Sequence, residues 1–518
     1  MILLLLLSIV ALAAFLRLYH ITTTPPGLYP DEAMNGNNAA EVAQTGHMQP
    51  FYIEDNGREG LYINILASFI KWFGNEPWVV RLPAAIAGIL TVLGIYFLAS
   101  TLFESQAIAL LSTFFLATSF WHINFSRIGF RAILAPFCLV WAMYFLLKAL
   151  KEGSAIPAAE PGSRTADSGS QVKPGITRRS IFFLAAAGIG YGLGFYTYIA
   201  YRITPLLLLL LIPFFRKTPH FWKKMILFLG VAFIVALPIG VYFLQHPGDF
   251  FGRTSEIAVT NSGNPIGHFA ANIVKTLAMF NFQGDGNWRH NVAGAPELWW
   301  PVGILFVIGI GWGIYYLWHW HVLRRKNFKS QNQSSHFNTR YLAFGICFTF
   351  LWFLLALLPA AASDEGLPHA LRSILMLPPA ILFAAIGGVW LYRFGVRYWA
   401  PGAKIIAAVF LAAAAFYAYY DYFIVWAENP NVPGAFNADY VAIGNQINTL
   451  PASEPKYVVV EAGGVLARGI PVPAETVMFV TDSFTTSTQL AHHITYLLPG
   501  QIDEIPSSTP SGTIFYVR

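Results

Sequence analysis

The chain has 518 residues, of which 56% are hydrophobic and only 11% charged, with a formal net charge of +6. Soluble domains carry roughly 25% charged residues, so a soluble globular protein is excluded. The basic balance reads as membrane topology rather than nucleic-acid binding. Two cysteines, Cys138 and Cys347, both lie in apolar stretches, which excludes a disulfide framework and a cysteine metal cluster.

Apolar stretches near the length needed to cross a bilayer recur along the chain. They place membrane helices at 2–19, 80–102, 106–124, 132–150, 181–200, 203–215, 225–245, 299–320, 341–360, 373–392 and 405–427. The expected fold is a polytopic α-helical membrane protein with about eleven transmembrane helices. Residues 1–19 lack a basic leader region, so the first helix is expected to be retained. With the N-terminus inside, 18 of the 32 Lys and Arg residues fall in short inner loops. The positive-inside rule then places 20–79, 246–298 and 428–518 outside. This is the arrangement of a multi-pass plasma (inner) membrane protein with a cytoplasmic N-terminus. The inner loop 152–176, rich in Pro, Ser, Gly and Ala, reads as a flexible connector.

The first outer loop opens with "LYPDEA", in which Asp31 and Glu32 stand side by side. Two acids in a first helical turn meet the helix dipole favourably. A carboxylate at the membrane surface can equally serve as a base. "NGREGLYINILASFIKWF" follows, with Arg58 and Glu59 before an amphipathic stretch suited to lie in the interface. "WHINFSRIGFRAILAP" places His122, Arg127 and Arg131 beside an apolar boundary, where arginine must snorkel or find an anion. "YIAYR" adds Arg202. "GIGYGLG" at 188–194 lies mid-helix with no preceding strand, and its glycines read as close helix packing.

"NFQGDGNWRHNV" carries Asp285, Trp288, Arg289 and His290, either as a Gly-Asp turn or as part of a site. Glu59 and His290 are the candidate pair for a divalent ion, although no cofactor is required. "SDEGLPHALRS" adds His369 and Arg372 where a helix begins, with Asp364, Glu365 and Pro368 as possible caps. In the tail, "NADYVAIGNQINTL" has helical spacing, "KYVVVEA", "TVMFVT" and "GTIFYVR" read as strands, and "TTSTQLAHHITYLL" as a helix. The expected division is a membrane domain over 1–427 and a small extracytoplasmic α/β domain over 428–518.

Every one of these polar words lands on the outer face under a topology chosen from other residues. One outer carboxylate with several guanidinium groups fits transfer from a lipid-phosphate donor. Arginines would neutralise the departing phosphate, and the carboxylate would take a proton from the acceptor. No nucleotide-binding loop is seen.

A first helix, an outer loop opening on an Asp-Glu pair, many helices and an outer tail resemble the GT-C superfamily of membrane glycosyltransferases. The nearest likeness is to glycosyltransferase family 39: the protein O-mannosyltransferases, the lipid A aminoarabinose transferase and the RgtA/B/C/D-like proteins. "LYPDEA", "REGLYINI" and "SRIGFRAILAP" carry it. The resemblance implies a polyprenyl-phosphate sugar donor, a lipid, glycan or protein acceptor with a hydroxyl, and inversion at the anomeric carbon. It implies that Asp31 is the catalytic carboxylate with Glu32 beside it. It also maps Glu59 to the family's second acidic word. Arg58, Arg127, Arg131, Arg202, Arg289 and Arg372 are the candidates for the donor phosphate, and Glu59, His122, Asp285, His290 and His369 for substrate or support. Two alternatives stay open: a lipid-linked-sugar flippase or other transporter, which needs charges deep in its spans, and a glycan polymerase or ligase.

Overall fold

A computed structural model describes residues 1–152, 176–326, 333–364, 366–505 and 512–518. The connector expected at 152–176 and the cap residue Glu365 fall outside the described residues, Glu152 and Ile176 apart. The chain runs α1 (Ile2–Leu18), α2 (Pro30–Thr45), β1 (Phe51–Tyr52), β2 (Arg58–Glu59), α3 (Leu61–Phe73), α4 (Pro77–Phe103), α5 (Gln106–Thr118), α6 (Phe120–Phe125), α7 (Leu134–Lys151) and α8 (Arg178–Gly194). Short α9 (Pro205–Leu208) and α10 (Leu211–Phe215) lead to α11 (Phe221–Gln245), α12 (Pro247–Glu256), α13 (Pro265–Ala278), α14 (Trp300–Lys326), α15 (Gln333–Ala361) and α16 (Leu377–Tyr420). The tail adds α17 (Asn431–Ala435), α18 (Ala438–Thr449), β3 (Lys456–Val460), β4 (Leu466–Ala467), β5 (Ile470–Pro471), α19 (Glu475–Val480), α20 (Thr486–His492), β6 (Ile494–Leu497) and β7 (Thr513–Val517).

The fold is a polytopic α-helical membrane fold with a small β-containing C-terminal unit, but the helix count needs correction. Among the described residues, six helical stretches are long and apolar enough to cross a membrane, not about eleven. Four of the expected spans are shorter or broken. The first is 17 residues long, and 106–124 ends at Thr118 and restarts at Phe120. The stretch 181–200 stops at Gly194, and 203–215 splits into two short helices. The last two expected spans form one continuous 53-residue stretch, with non-helical dihedrals at Trp399 just before Pro401. Proline removes the backbone donor that would bridge this kink.

The glycines of "GIGYGLG" do mark close packing. A Cβ on Gly188 or Gly192 would lie 2.8 or 2.7 Å from the Phe228 or Ala232 carbonyl oxygen of α11. Only hydrogen lets the two backbones approach so closely.

In the tail, β3 lies between β6 and β7, both parallel to it. Parallel strands need crossover connections, and α19 and α20 lie between β3 and β6. "TVMFVT", expected as a strand, is instead within α19. Its β-branched residues favour a strand locally, but Val477, Met478 and Phe479 are buried in a helix packed against α2. Tertiary packing overrides the local preference. The helix expected over 485–498 ends at His492, and "ITYL" pairs as a strand.

The tail and the first outer loop interlock. Met34 of α2 belongs to the apolar core of the tail, whereas Phe479 of α19 belongs to that of the membrane helices. Gly36 lets α2 approach the Phe479 ring, since a Cβ there would stand 2.5 Å from it. Thr476 Oγ1 donates to the Leu28 carbonyl at 2.9 Å, just before α2 begins. Asn37 Nδ2 donates to Glu475 Oε2 at 2.7 Å and to its carbonyl at 3.0 Å.

Candidate active site

α2 begins at Pro30, whose fixed φ suits a first helical position, so Asp31 and Glu32 occupy the first turn. Successive side chains on a helix point in different directions, and the two acids part company. Glu32 is fully buried. Its Oε1 accepts the Gly129 N–H at 2.7 Å and Arg81 Nε at 3.0 Å; its Oε2 accepts the Tyr29 N–H at 3.3 Å. Arg81 also donates to the Pro25 and Gly27 carbonyls. Glu32 thus fastens α2 to α4 and to the "SRIGF" turn, and does not line the cavity described below. Glu32, expected beside Asp31 in the chemistry, therefore stands in a buried ion pair away from the cavity lining.

Asp31 faces a cavity of about 950 Å³. Among the described residues its carboxylate has no hydrogen-bond or ion-pair partner. Asp285, Arg289, His290, His369 and Arg372 line the same cavity, with Tyr29 and Trp288. Five expected site residues from two distant loops therefore converge with Asp31. Asn431 and Ala435 of the tail complete the wall.

The 285–292 turn is pinned from three sides. Asn124 Nδ2 donates to the Arg289 carbonyl at 2.6 Å, and Trp426 Nε1 to the Trp288 carbonyl at 2.8 Å. The Ala370 N–H reaches Asp285 Oδ2 at 2.8 Å. The Arg289 guanidinium lies 3.6 Å from the centre of the Tyr29 ring, a cation–π contact that holds it beside α2. Arg372 Nη1 donates to Ser363 Oγ at 2.9 Å.

Asp285 Oδ2 also accepts from His290 Nδ1 at 2.8 Å, with His369 Nδ1 at 3.8 Å. Burial pushes the Asp285 carboxyl up, but the His290 hydrogen bond, the charges of both histidines and the Ala370 N–H outweigh it. The carboxyl is held below its ordinary range. Behind it, burial pushes the Glu297 carboxyl well above the usual range, and its Oε1 accepts the Asp285 N–H at 3.0 Å.

Asp285, His290 and His369 could hold a divalent metal, since one donor atom from each lies within 4.8 Å of the others. Two nitrogens and an oxygen suit a zinc-like cation, and three protein ligands leave a coordination position open. The expected pairing of Glu59 with His290 is corrected here. Glu59 is buried between Arg131 Nε at 3.0 Å and Arg202 Nη2 at 3.4 Å, so its charge is already matched.

The other expected phosphate arginines lie outside the cavity lining. Arg58 is buried and hydrogen-bonded to Asn35 Oδ1 at 2.8 Å and to Asn38 Oδ1. Arg127 is fully buried, donates to the Leu16 and Thr24 carbonyls, and stacks on Tyr422 and Phe423. Arg131 and Arg202 are paired to Glu59. His122 is buried beneath Arg17, 2.8 Å from its Nη2. The sequence reading missed Tyr29, Arg81 and the tail residues. A lone arginine opening an apolar span, in "WVVRLP", was a readable signal for Arg81, because a charge there must find a partner.

The tail contact has a measurable consequence. Burial pushes the Glu475 carboxyl from 4.5 up to about 8, with the Asn37 hydrogen bond and the charges of Arg58 and Arg468 opposing and Asp55 adding to it. Arg468 is itself paired to Glu41 at 2.6 Å and Glu54 at 3.3 Å. A carboxyl whose folded pKa is raised loses stability as pH climbs from its unfolded value to its folded one. Glu475→Gln, which cannot ionise, is therefore expected to match the wild type in thermal stability below pH 4.5. Its advantage grows between about pH 4.5 and 8 and reaches about 3–5 kcal/mol above that window. Melting curves of the two proteins across this range check it.

Against known proteins, the family model described as dolichyl-phosphate-mannose-protein mannosyltransferase matches residues 61–157. No curated protein matches the chain. Among solved structures, ArnT from Cupriavidus metallidurans bound to undecaprenyl phosphate superposes with a TM-score of 0.56 at 13% identity, over 99% of this chain and 89% of that one. The chain shares the fold of that structure. The archaeal oligosaccharyltransferase AglB from Archaeoglobus fulgidus, in complex with an inhibitory peptide and a dolichol-phosphate, gives a TM-score of 0.52 at 13% identity, covering 97% and 70%. At such identities the likeness shows a shared fold and nothing finer.

Proposed function

We propose that the chain is an integral-membrane glycosyltransferase. It moves a sugar from a polyprenyl phosphate to a hydroxyl on lipid, glycan or protein, on the outer face of the membrane. The observation that carries this reading is the single cavity in which an unpartnered carboxylate, Asp31, shares the wall with Arg289 and Arg372. The matched family description and the lipid phosphates bound in the similar structures support the donor class.

In this reaction the acceptor oxygen attacks the anomeric carbon from the face opposite the phosphate, which inverts it. Asp31 takes the hydroxyl proton. The bond from the anomeric carbon to the phosphate oxygen breaks, and its electron pair stays on the phosphate. Arg289 and Arg372 balance that charge. The products are the glycoside and free polyprenyl phosphate. Asp285 orients His290 by its hydrogen bond, and His369 lines the same cavity, where a divalent metal, if bound, would add positive charge for the phosphate. Glu32 acts through α2 as a positioning residue.

The reading includes the topology with the N-terminus cytoplasmic and the cavity outside, supported by the Lys and Arg count in the inner loops. It also includes the division at residue 427. The test uses purified protein in detergent with radiolabelled polyprenyl-phosphate sugars. Release of free polyprenyl phosphate together with labelled glycoside is the expected result. Label that crosses proteoliposome membranes without any cleavage of the donor would replace this reading with a flippase.

A further inference from the structure

A second cavity of about 460 Å³ lies beside the first, within the size range of ligand pockets. His268, Asn272 and Lys275 of α13 line it, with Asp364 on the facing segment. Gly366 and Leu367 line both cavities and form the lip between them.

α13 has two distinct faces. Ile266, Val274 and Leu277 are exposed, and at 100° per residue they fall within one stripe. His268, Asn272 and Lys275 fall on the opposite side. The helix lies in the segment between α11 and α14, both long and apolar enough to span the membrane. With the proposed topology its apolar stripe lies in the outer leaflet, as for interfacial helices, which puts the second cavity at headgroup depth on its protein side.

The charges there are unequal. His268 Nδ1 is 2.8 Å from Asp364 Oδ1, so that acid has a partner. Asn272 Nδ2 is used by the Ala361 and Ser363 carbonyls. Lys275 has no partner among the described residues. An ammonium facing a cavity at headgroup depth is matched by a lipid phosphate.

We propose that this second cavity seats the phosphate headgroup of a second membrane lipid, the one carrying the acceptor hydroxyl, with Lys275 as its countercharge. The acceptor class thereby narrows to a phosphate-bearing lipid or a glycan built on one. The word acceptor rests on the glycosyl-transfer reading; the binding itself does not.

Dioleoyl phosphatidate serves as the probe. The full-length protein is released from phosphatidylcholine nanodiscs containing this lipid, without any sugar donor, and retained lipid is read by native mass spectrometry. The wild type is expected to keep phosphatidate in preference to dioleoylglycerol, and Lys275→Gln to keep about tenfold less, the loss of one charge-assisted contact. Melting curves show that this variant is folded. Lys275→Arg, which keeps the charge, is expected to keep as much as the wild type. Equal retention by wild type and Lys275→Gln overturns the proposal, as does an equal loss in Lys275→Arg. Displacement by millimolar inorganic phosphate would reassign the cavity to soluble phosphate. Absence of transfer alongside selective retention would remove the enzyme reading and leave this site standing.

Discussion

Asp31→Asn is expected to lower glycosyl transfer by about 10²–10⁴-fold, the range that a positioned base contributes, while insertion and melting temperature stay as in the wild type. Asparagine keeps the shape of the side chain and removes the basic oxygen. The Asp31 carboxylate holds no other residue in place among the described contacts, so a packing defect is not expected from the exchange. The measurement is transfer from radiolabelled polyprenyl-phosphate sugar, run beside a melting curve on the same preparation. Transfer near the wild-type rate would remove Asp31 as the base. Lost transfer with a lowered melting temperature would make its role structural.

The neighbouring position should behave in the opposite way. Glu32→Ala removes one partner of a fully buried ion pair, and leaving the other charge buried typically destabilises by about 3–5 kcal/mol. Arg81 keeps its two carbonyl partners, which puts the expectation at the lower end of that range. Gly129 and Tyr29 would also each lose an acceptor for an N–H. The melting temperature in detergent should fall clearly, and transfer should fall with it as α2 loosens. Replacing both members, Glu32→Leu with Arg81→Met, should recover part of the loss, because no unpaired charge then stays buried. If Glu32→Ala lost transfer with an unchanged melting temperature, Glu32 would belong with Asp31 in the chemistry.

The contrast between these two residues shows what the sequence could and could not convey. Composition and apolar run lengths were enough for the membrane class, and three of the polar words, "LYPDEA", "NFQGDGNWRHNV" and "SDEGLPHALRS", put ionisable residues on the cavity wall. Whether a given acid or arginine faces a cavity or a buried partner depends on helix phase and on contacts far away in sequence. Glu32 meets Arg81 and Gly129, and Glu59 meets Arg131 and Arg202. Hydropathy also overcounted the spans, since it does not register where a helix breaks, as between α5 and α6 or across 199–215. The α19 segment was misread because its partner, α2, lies more than 400 residues earlier.

That long-range partnership bears on biosynthesis. α2 leaves the ribosome more than 400 residues before α19, yet Thr476, Glu475 and Phe479 hold it, and Asn431 and Ala435 wall the cavity at its tip. A nascent chain halted before the tail would lack these supports for Asp31. Under the proposed function, competence for catalysis would then arise only once the tail has been made and has docked on α2.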